Sequence, residues 1–273
     1  MRLMTWNLWG RFGPWREREK AIIDTLRVVD PDVLALQEVW TSADGTSQLE
    51  VIAEALGMHS AGSAHPLGDT GLGQGNAVLS RWPISGWQTV DLTPDPTDPR
   101  LAVVADVETP QGTVPVVSTH LSWRPDEGGA RLRQVRAIRE HLAARPAGVL
   151  PPVVMGDLNA EPTSDEVRAL TGLKADEPPG PVFMDCWEQA RGGEHGYTWD
   201  HTNPYAACTP WPRRRLDYVL IALPDLGLVH QKRMGWFEVD SCELAGVSAV
   251  RGTVPSDHYA VVTRLRVLPD RPH

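Results

Sequence analysis

Short runs of strand-forming residues, each closed by one polar or charged side chain, recur from one end of this chain to the other. The clearest is Pro152 to Ala160, where Val153-Val154-Met155 leads through Gly156 into Asp157-Leu158-Asn159. Side chains alternate along extended backbone, so Asp157 and Asn159 are expected to project from the same side at the carboxyl end of the run. Glu161-Pro162 then breaks the strand, and Thr163 with Glu166 reads as a capping box opening a helix. Taken alone, Gly-Asp-x-Asn is an ordinary strand, turn and helix boundary. Its weight comes from the similar runs elsewhere that end in Asn, Glu, His or Asp.

In chain order the first run reads as a strand over Arg2 to Leu8, a loop from Trp9 to Pro14, and a helix over Trp15 to Val29 with Ile22, Leu26 and Val29 on one face. Asp30-Pro31 ends that helix. A second strand finishes in Gln37-Glu38, and Ser47 with Glu50 caps a helix to about Leu56. Gly57 to Gly75 reads as a long glycine-rich loop before a strand over Asn76 to Arg81. Two strands follow, near Gly86 to Leu92 and Leu101 to Glu108, separated by the proline-rich Thr93 to Pro99. Thr113 to His120 reads as a strand and Gly128 to Ala144 as a helix. The second half repeats the layout: the strand at Val153, a helix after Thr163, a polar loop from Arg191 to Arg214, a strand over Leu216 to Ile221, and a last strand from His258 to Leu265. Alternating strands and helices without a long linker favour one α/β domain whose sheets are covered by helices.

Composition enters as a set of exclusions. An apolar content of 41% over 273 residues is ample for a packed core, and no stretch approaches membrane-spanning length. The amino terminus runs straight into strand-like sequence without a basic and apolar leader, so we expect a cytoplasmic protein, whereas a leader removed upstream would mean secretion; a monomer is expected separately. Cys186, Cys208 and Cys242 are odd in number and widely spaced, which disfavours a disulfide framework or a structural zinc site. A net charge of −9 argues against a broad basic surface for duplex nucleic acid.

Asn7, Glu38, His120, Asp157, Asn159, Asp217 and His258 all fall at or beside strand ends, where ligands of α/β proteins bind. Glu38, Asp257 and the Asn7 amide offer the oxygen donors that a hard divalent cation takes. Moreover, Thr5-Trp6-Asn7, Leu36-Gln37-Glu38, Ser118-Thr119-His120-Leu121, Gly156-Asp157-x-Asn159, Arg215-Leu216-Asp217-Tyr218 and Ser256-Asp257-His258 occur in the order of the motifs of the endonuclease/exonuclease/phosphatase superfamily. The chain resembles that superfamily over nearly its whole length. The resemblance implies a four-layer α/β/β/α sandwich of two similar halves, a single catalytic domain over 1–273, a Mg²⁺ or Mn²⁺ ion, and hydrolysis of a phosphate ester.

On that resemblance Asn7, Glu38 and Asp257 are the expected metal ligands, with Glu38 foremost. Asp157 would orient and deprotonate the attacking water, and Asn159 would donate to the phosphoryl oxygens. Asp217 would hold His258, and His120 would donate to the phosphate or the leaving group, with the acid and base roles of the two histidines left open. The Thr119-His120-Leu121 motif departs from the abasic-site endonucleases and is similar to the deoxyribonuclease, lipase-like and phosphatase branches.

Substrate-binding candidates are Asn76, Trp199, Asn203 and Arg215, the middle two lying in a segment similar to bacterial sphingomyelinases. Trp6, Trp82 and Trp187 read as packing residues, whereas Trp9, Trp15, Trp40, Trp123, Trp199 and Trp211 lie in or beside rim loops. The expected substrate is a phosphodiester, either a short or single-stranded nucleic acid or a small diester. A sphingomyelinase-like phospholipid phosphodiesterase and a phosphomonoesterase are the alternatives. A catalytically inactive binding domain is disfavoured by the intact motifs.

Overall fold

In order, the chain forms β1 (Arg2–Asn7), α1 (Trp15–Val29), β2 (Val33–Ser42), α2 (Gln48–Leu56), β3 (His59–Pro66), β4 (Leu72–Ser80), β5 (Ile84–Asp91), β6 (Leu101–Thr109) and β7 (Gly112–His120). It continues with α3 (Gly128–Ala143), β8 (Val153–Asp157), α4 (Asp165–Leu170), β9 (Phe183–Asp185), α5 (Cys186–Arg191), β10 (Asp217–Ala222), β11 (Trp236–Ala245) and β12 (Ala260–Leu268). This is a computed structural model, and it describes residues 1–93, 98–148, 150–175, 177–225, 228 and 234–268.

Among the described residues the strands pair into two six-stranded sheets, ordered β11-β12-β1-β2-β4-β3 and β5-β6-β7-β8-β10-β9. The two have the same plan. Each contains one parallel pair, β1 with β2 and β7 with β8, joined through α1 and α3 respectively. All their other pairings are antiparallel.

Strand alternation then sorts the side chains into layers. Leu3, Ala35 and Val78 of the first sheet meet Val103, Val116, Met155 and Val219 of the second in a shared inner core. The opposite face of the first sheet, with Met4, Leu34, Leu36 and Leu79, packs on Ile22 and Leu26 of α1 and Ile52 of α2. Val104, Val117, Val154 and Leu220 likewise pack on Val135, Ile138 and Leu142 of α3 and on Val167 and Leu170 of α4. The result is the expected α/β/β/α sandwich of two similar halves. Each fully buried aliphatic side chain contributes about 1.5–3 kcal/mol of transfer free energy to holding the layers together.

Four local readings need correction. Gly57 to Gly75 is largely not a loop: β3 and β4 form a hairpin there, with Ser63 paired to Asn76. Its glycines answer to close backbone approach, since a Cβ on Gly75 would collide with the Ser63 carbonyl. The capping box at Thr163 is absent; Ser164 is the N-cap residue of α4, its Oγ accepts from Glu161 N–H at 3.0 Å, and Glu166 turns inward to Arg131. The last strand begins at Ala260, leaving Asp257 and His258 in the loop before it. Finally β9, α5 and β11 were not anticipated. Ser47 does cap α2, accepting from Leu49 N–H at 3.1 Å. Of the proline-rich segment, residues 94–97 lie outside the described residues.

Candidate active site

Two backbone irregularities aim the central carboxylates. Alternation along β2 sends Val33, Ala35 and Gln37 toward the inner layer, so Glu38 would follow Leu34 and Leu36 toward the helices. Instead the register with β4 shifts between Leu36 and Val39, and Glu38 takes a positive φ of 55°. This bulge re-aims its carboxylate into the cleft. On β8, Gly156 has φ 152°, and a Cβ there would strike the Thr119 carbonyl, so only glycine lets β8 lie against β7 at this point.

Register does the rest. Asp157 is paired with His120 across the parallel ladder and with Asp217 across the antiparallel one, so three motif residues stand side by side at one sheet end. From the facing sheet, Asn7 donates its amide hydrogens to Glu38 Oε1 and Asp157 Oδ2, both at 3.1 Å, and so bridges the two halves. Ser256 Oγ donates to the Asn7 carbonyl at 2.6 Å, anchoring the loop that carries Asp257 and His258.

The charges around Asp157 are unequal. His258 Nδ1 lies 2.8 Å from Asp217 Oδ2, and its Nε2 is 3.8 Å from Asp157 Oδ2. Burial alone would lower this imidazole's pKa, but Asp217, Asp157 and Asp257 outweigh it and hold His258 charged, well above the usual histidine range. His120 Nε2 lies 3.5 Å from the same Asp157 oxygen. Burial, with Arg100, His258 and His65 nearby, keeps His120 neutral. Burial and the neighbouring Asp217 push Asp157 up to about 7, against the pull of His258 and of hydrogen bonds from Asn159 and Asn7. Burial also raises Asp257 to about 7, with the Glu38 charge adding to it and His258 and Arg18 opposing it.

Asp157, Asp217 and His258 place ligand atoms within 4.8 Å of one another, yet His258 Nδ1 is engaged by Asp217 and its charge already offsets the two aspartates. Glu38 and Asp257 fit a cation better. They are carboxylates close enough to repel, lining one cleft, and a hard dication takes such oxygens. Asn7 does not fit the ligand role expected for it: its Oδ1 accepts from Trp9 N–H at 3.0 Å, and its NH₂ faces the carboxylates. Gln74 Nε2, donating to Glu38 Oε2 at 2.6 Å, is an unanticipated neighbour.

Asn7, Glu38, Asn76, His120, Asp157, Asn159, Trp199, Asp257 and His258 line one cleft of about 710 Å³. Asp217 lies behind His258, wholly buried. Asn159, at φ 48°, spends one amide hydrogen on the Leu121 carbonyl and its backbone N–H on Asp157 Oδ1, leaving a second amide hydrogen toward the cleft. Asn76 donates to the Leu101 carbonyl at 2.7 Å while its Oδ1 is buried without a partner. Trp199 packs edge-on to His258 at 5.1 Å.

Two substrate candidates are corrected. Arg215 is buried and committed to Asp185 at 2.6 Å and Glu188 at 2.8 Å. Asn203 is buried as a loop brace, donating to the Ser256 carbonyl and accepting from Tyr205 N–H. Neither lines the cleft. Of the rim tryptophans, Trp9, Trp123, Trp199 and Trp211 do line it, whereas Trp15 and Trp40 pack on each other around Arg11. Sequence reading missed Arg100 and Arg18. Arg100 lines the cleft and pairs with Asp98 at 2.9 Å, and its position after a proline-rich segment carried no signal. Arg18, buried in α1, donates to the carbonyls of Leu8, Trp9, Gly10, Phe12 and Pro255, clamping the loops on either side of Asn7 and Asp257.

Two stacked sheets with a carboxylate and histidine cluster at their shared end define the α/β/β/α class of phosphoester-hydrolase folds. The chain belongs to the endonuclease/exonuclease/phosphatase family, whose model matches residues 4–258. Members of that family generally hydrolyse phosphoesters. Among solved structures, D. rerio TDP2 complexed with single-strand DNA product is similar at a TM-score of 0.76 and 19% identity, over 97% of this chain and 98% of that one. An endonuclease/exonuclease/phosphatase from Beutenbergia cavernae is similar at a TM-score of 0.72 and 27% identity, over 98% of this chain and 71% of that one. Truncated TDP2 from Caenorhabditis elegans is similar at 0.69 and 22% identity, over 96% and 95%. No curated protein matches the chain by sequence.

Proposed function

We propose that this chain is a single-domain, Mg²⁺- or Mn²⁺-dependent phosphodiesterase acting on a short or single-stranded nucleic acid or a small diester. The observation that carries this reading is Asp157 between two histidines of opposite protonation, 3.5 and 3.8 Å away, on the wall of the cleft that also holds Glu38. With a pKa of about 7, Asp157 is basic enough to take a proton from an attacking water at neutral pH. The His258 imidazolium, fixed by Asp217, offers Nε2–H to a phosphoryl oxygen as its charge grows. His120 can donate from a neutral ring, and the second amide hydrogen of Asn159 points to the same region. A divalent ion on Glu38 and Asp257 would neutralise a nonbridging oxygen and the leaving oxygen.

A diester is favoured over a monoester by the state of the cleft's arginines. Arg100 is paired with Asp98 and Arg214 with Glu161, each at 2.9 Å, so the charge of both cations is already partly offset, which suits a monoanionic diester better than a monoester dianion. The reading is tested by turnover of chromogenic bis-ester and mono-ester phosphates with Mg²⁺, Mn²⁺ or excess chelator, for the wild type and His258→Ala. We expect metal-dependent hydrolysis of the bis-ester above the mono-ester, and a loss of at least ~10²-fold in kcat for the variant. Faster hydrolysis of the mono-ester would replace the diesterase reading, and full activity in chelator would remove the metal.

A further inference from the structure

Large aromatic side chains left half exposed are uncommon on a folded surface, and here they gather at one place. Among the described residues the exposed large aromatics are Phe12, Trp87, Trp123 and Trp211, and all but Trp87 line the catalytic cleft. Trp123 is the most informative. Its indole is 51% exposed, yet the backbone on both sides of it is tied down. Ser122 N–H donates to Gln134 Oε1 at 3.0 Å, and Arg131 donates to the carbonyls of Ser122 at 3.2 Å and Arg124 at 2.6 Å. Arg131 is itself held by buried Glu166 at 2.8 Å. A flat apolar ring, with the Arg124 guanidinium 5.7 Å from its centroid, is thus presented to solvent on a tethered backbone, three residues beyond His120. Trp211, which lines the same cleft, is 42% exposed on a loop closed at its base by the reciprocal Trp199 and Arg214 backbone bonds of 3.0 and 2.8 Å.

We propose that Trp123 is a specificity-determining stacking platform for an unpaired nucleobase next to the scissile phosphodiester, with Trp211 a second aromatic wall of the same cleft. This rests on the phosphodiesterase reading and names its substrate class as single-stranded nucleic acid. An indole on a tethered backbone loses little main-chain freedom on binding, and base stacking on an aromatic side chain is worth about 1–3 kcal/mol per base. A base inside a duplex has no free face to offer, so duplex should bind less well.

The test reads binding without catalysis: fluorescence anisotropy of a labelled single-stranded oligonucleotide in excess chelator, with the wild type, Trp123→Ala and Trp123→Phe. The same oligonucleotide with its central bases removed, a duplex, and sphingomyelin vesicles serve as comparisons. We expect Trp123→Ala to weaken binding of the single strand about 5- to 100-fold, Trp123→Phe to restore most of it, and the base-less oligonucleotide to bind all three proteins equally weakly. An equal loss on normal and base-less strands, no loss at all, or a Trp123-dependent preference for duplex or vesicles would overturn the proposal. Turnover of the chromogenic bis-ester, measured alongside, tells its failure from that of the phosphodiesterase reading: an enzyme that cleaves the bis-ester but shows no base-dependent binding retains the chemistry and loses the platform.

Discussion

Replacing Asp157 by Asn should stabilise the fold while destroying activity, and the size of the gain follows from the site. Its carboxyl is 1% exposed and raised from 3.8 to about 7 by burial and by Asp217. At about 1.36 kcal/mol per pH unit, keeping that group charged costs the folded state about 4 kcal/mol above pH 7. Because the folded value is the higher one, the penalty is absent below pH 3.8, grows as pH rises, and is complete once the pH passes about 7. Asparagine removes the charge. It keeps an oxygen for Asn159 N–H but turns its NH₂ toward Asn7, forfeiting one hydrogen bond worth about 1 kcal/mol. The neutral ring of His120, 3.5 Å away, is available to accept from that NH₂.

The net expectation is a gain of about 3 kcal/mol at pH 8, shrinking to under about 1 kcal/mol at pH 5. Urea unfolding of both proteins in excess chelator, followed by circular dichroism at the two pH values, measures it. Turnover of a phosphodiester should fall by at least ~10²-fold in the same variant. A variant that is no more stable at pH 8, or whose gain is the same at both pH values, would show that Asp157 is not held under this strain.

Glu38→Ala should abolish metal-dependent turnover and weaken Mn²⁺ binding in calorimetry while leaving the far-ultraviolet spectrum unchanged, since the bulged carboxylate faces the cleft and not the core. Gly156→Ala should cost more than about 4 kcal/mol, seen as loss of soluble protein or a large fall in Tm, because its Cβ meets the Thr119 backbone. Arg215→Met should lower the unfolding free energy by about 3 kcal/mol through the stranded Asp185, with KM for a diester unchanged; a raised KM at native stability would return Arg215 to the substrate.

What could be read from the sequence was whatever period-2 alternation and strand-end chemistry encode. Asp157, His120 and Asp217 were identifiable because each closes or opens an apolar run, and their adjacency is the register of three neighbouring strands. Glu38 was identifiable too, although its reach into the cleft depends on a bulge that the alternation of β2 does not foretell. The hairpin of β3 and β4 was hidden because Gly62, Gly73 and Gly75 look like loop residues until their neighbours' backbones are in place. Arg215 was misread for a related reason. Its partner Asp185 lies 30 residues away in a three-residue strand too short to show a pattern. Asn7 lines the cleft, but which end of its amide faces the carboxylates is decided by Trp9 N–H.

The clamp around Arg18 separates two jobs that loops of an enzyme usually have to combine. Every hydrogen-bond acceptor it uses in the segment from Leu8 to Phe12 is a main-chain oxygen, so that part of the grip is indifferent to side chains, and the segment's side-chain contact with the guanidinium is the Trp9 ring at 4.8 Å. Phe12 can therefore be exchanged for other residues, and the mouth of the cleft given a different lining, while Trp9 stays under the guanidinium and the turn that seats Asn7 beside Asp157 keeps its path. A chain built this way can change what it admits without rebuilding what it does.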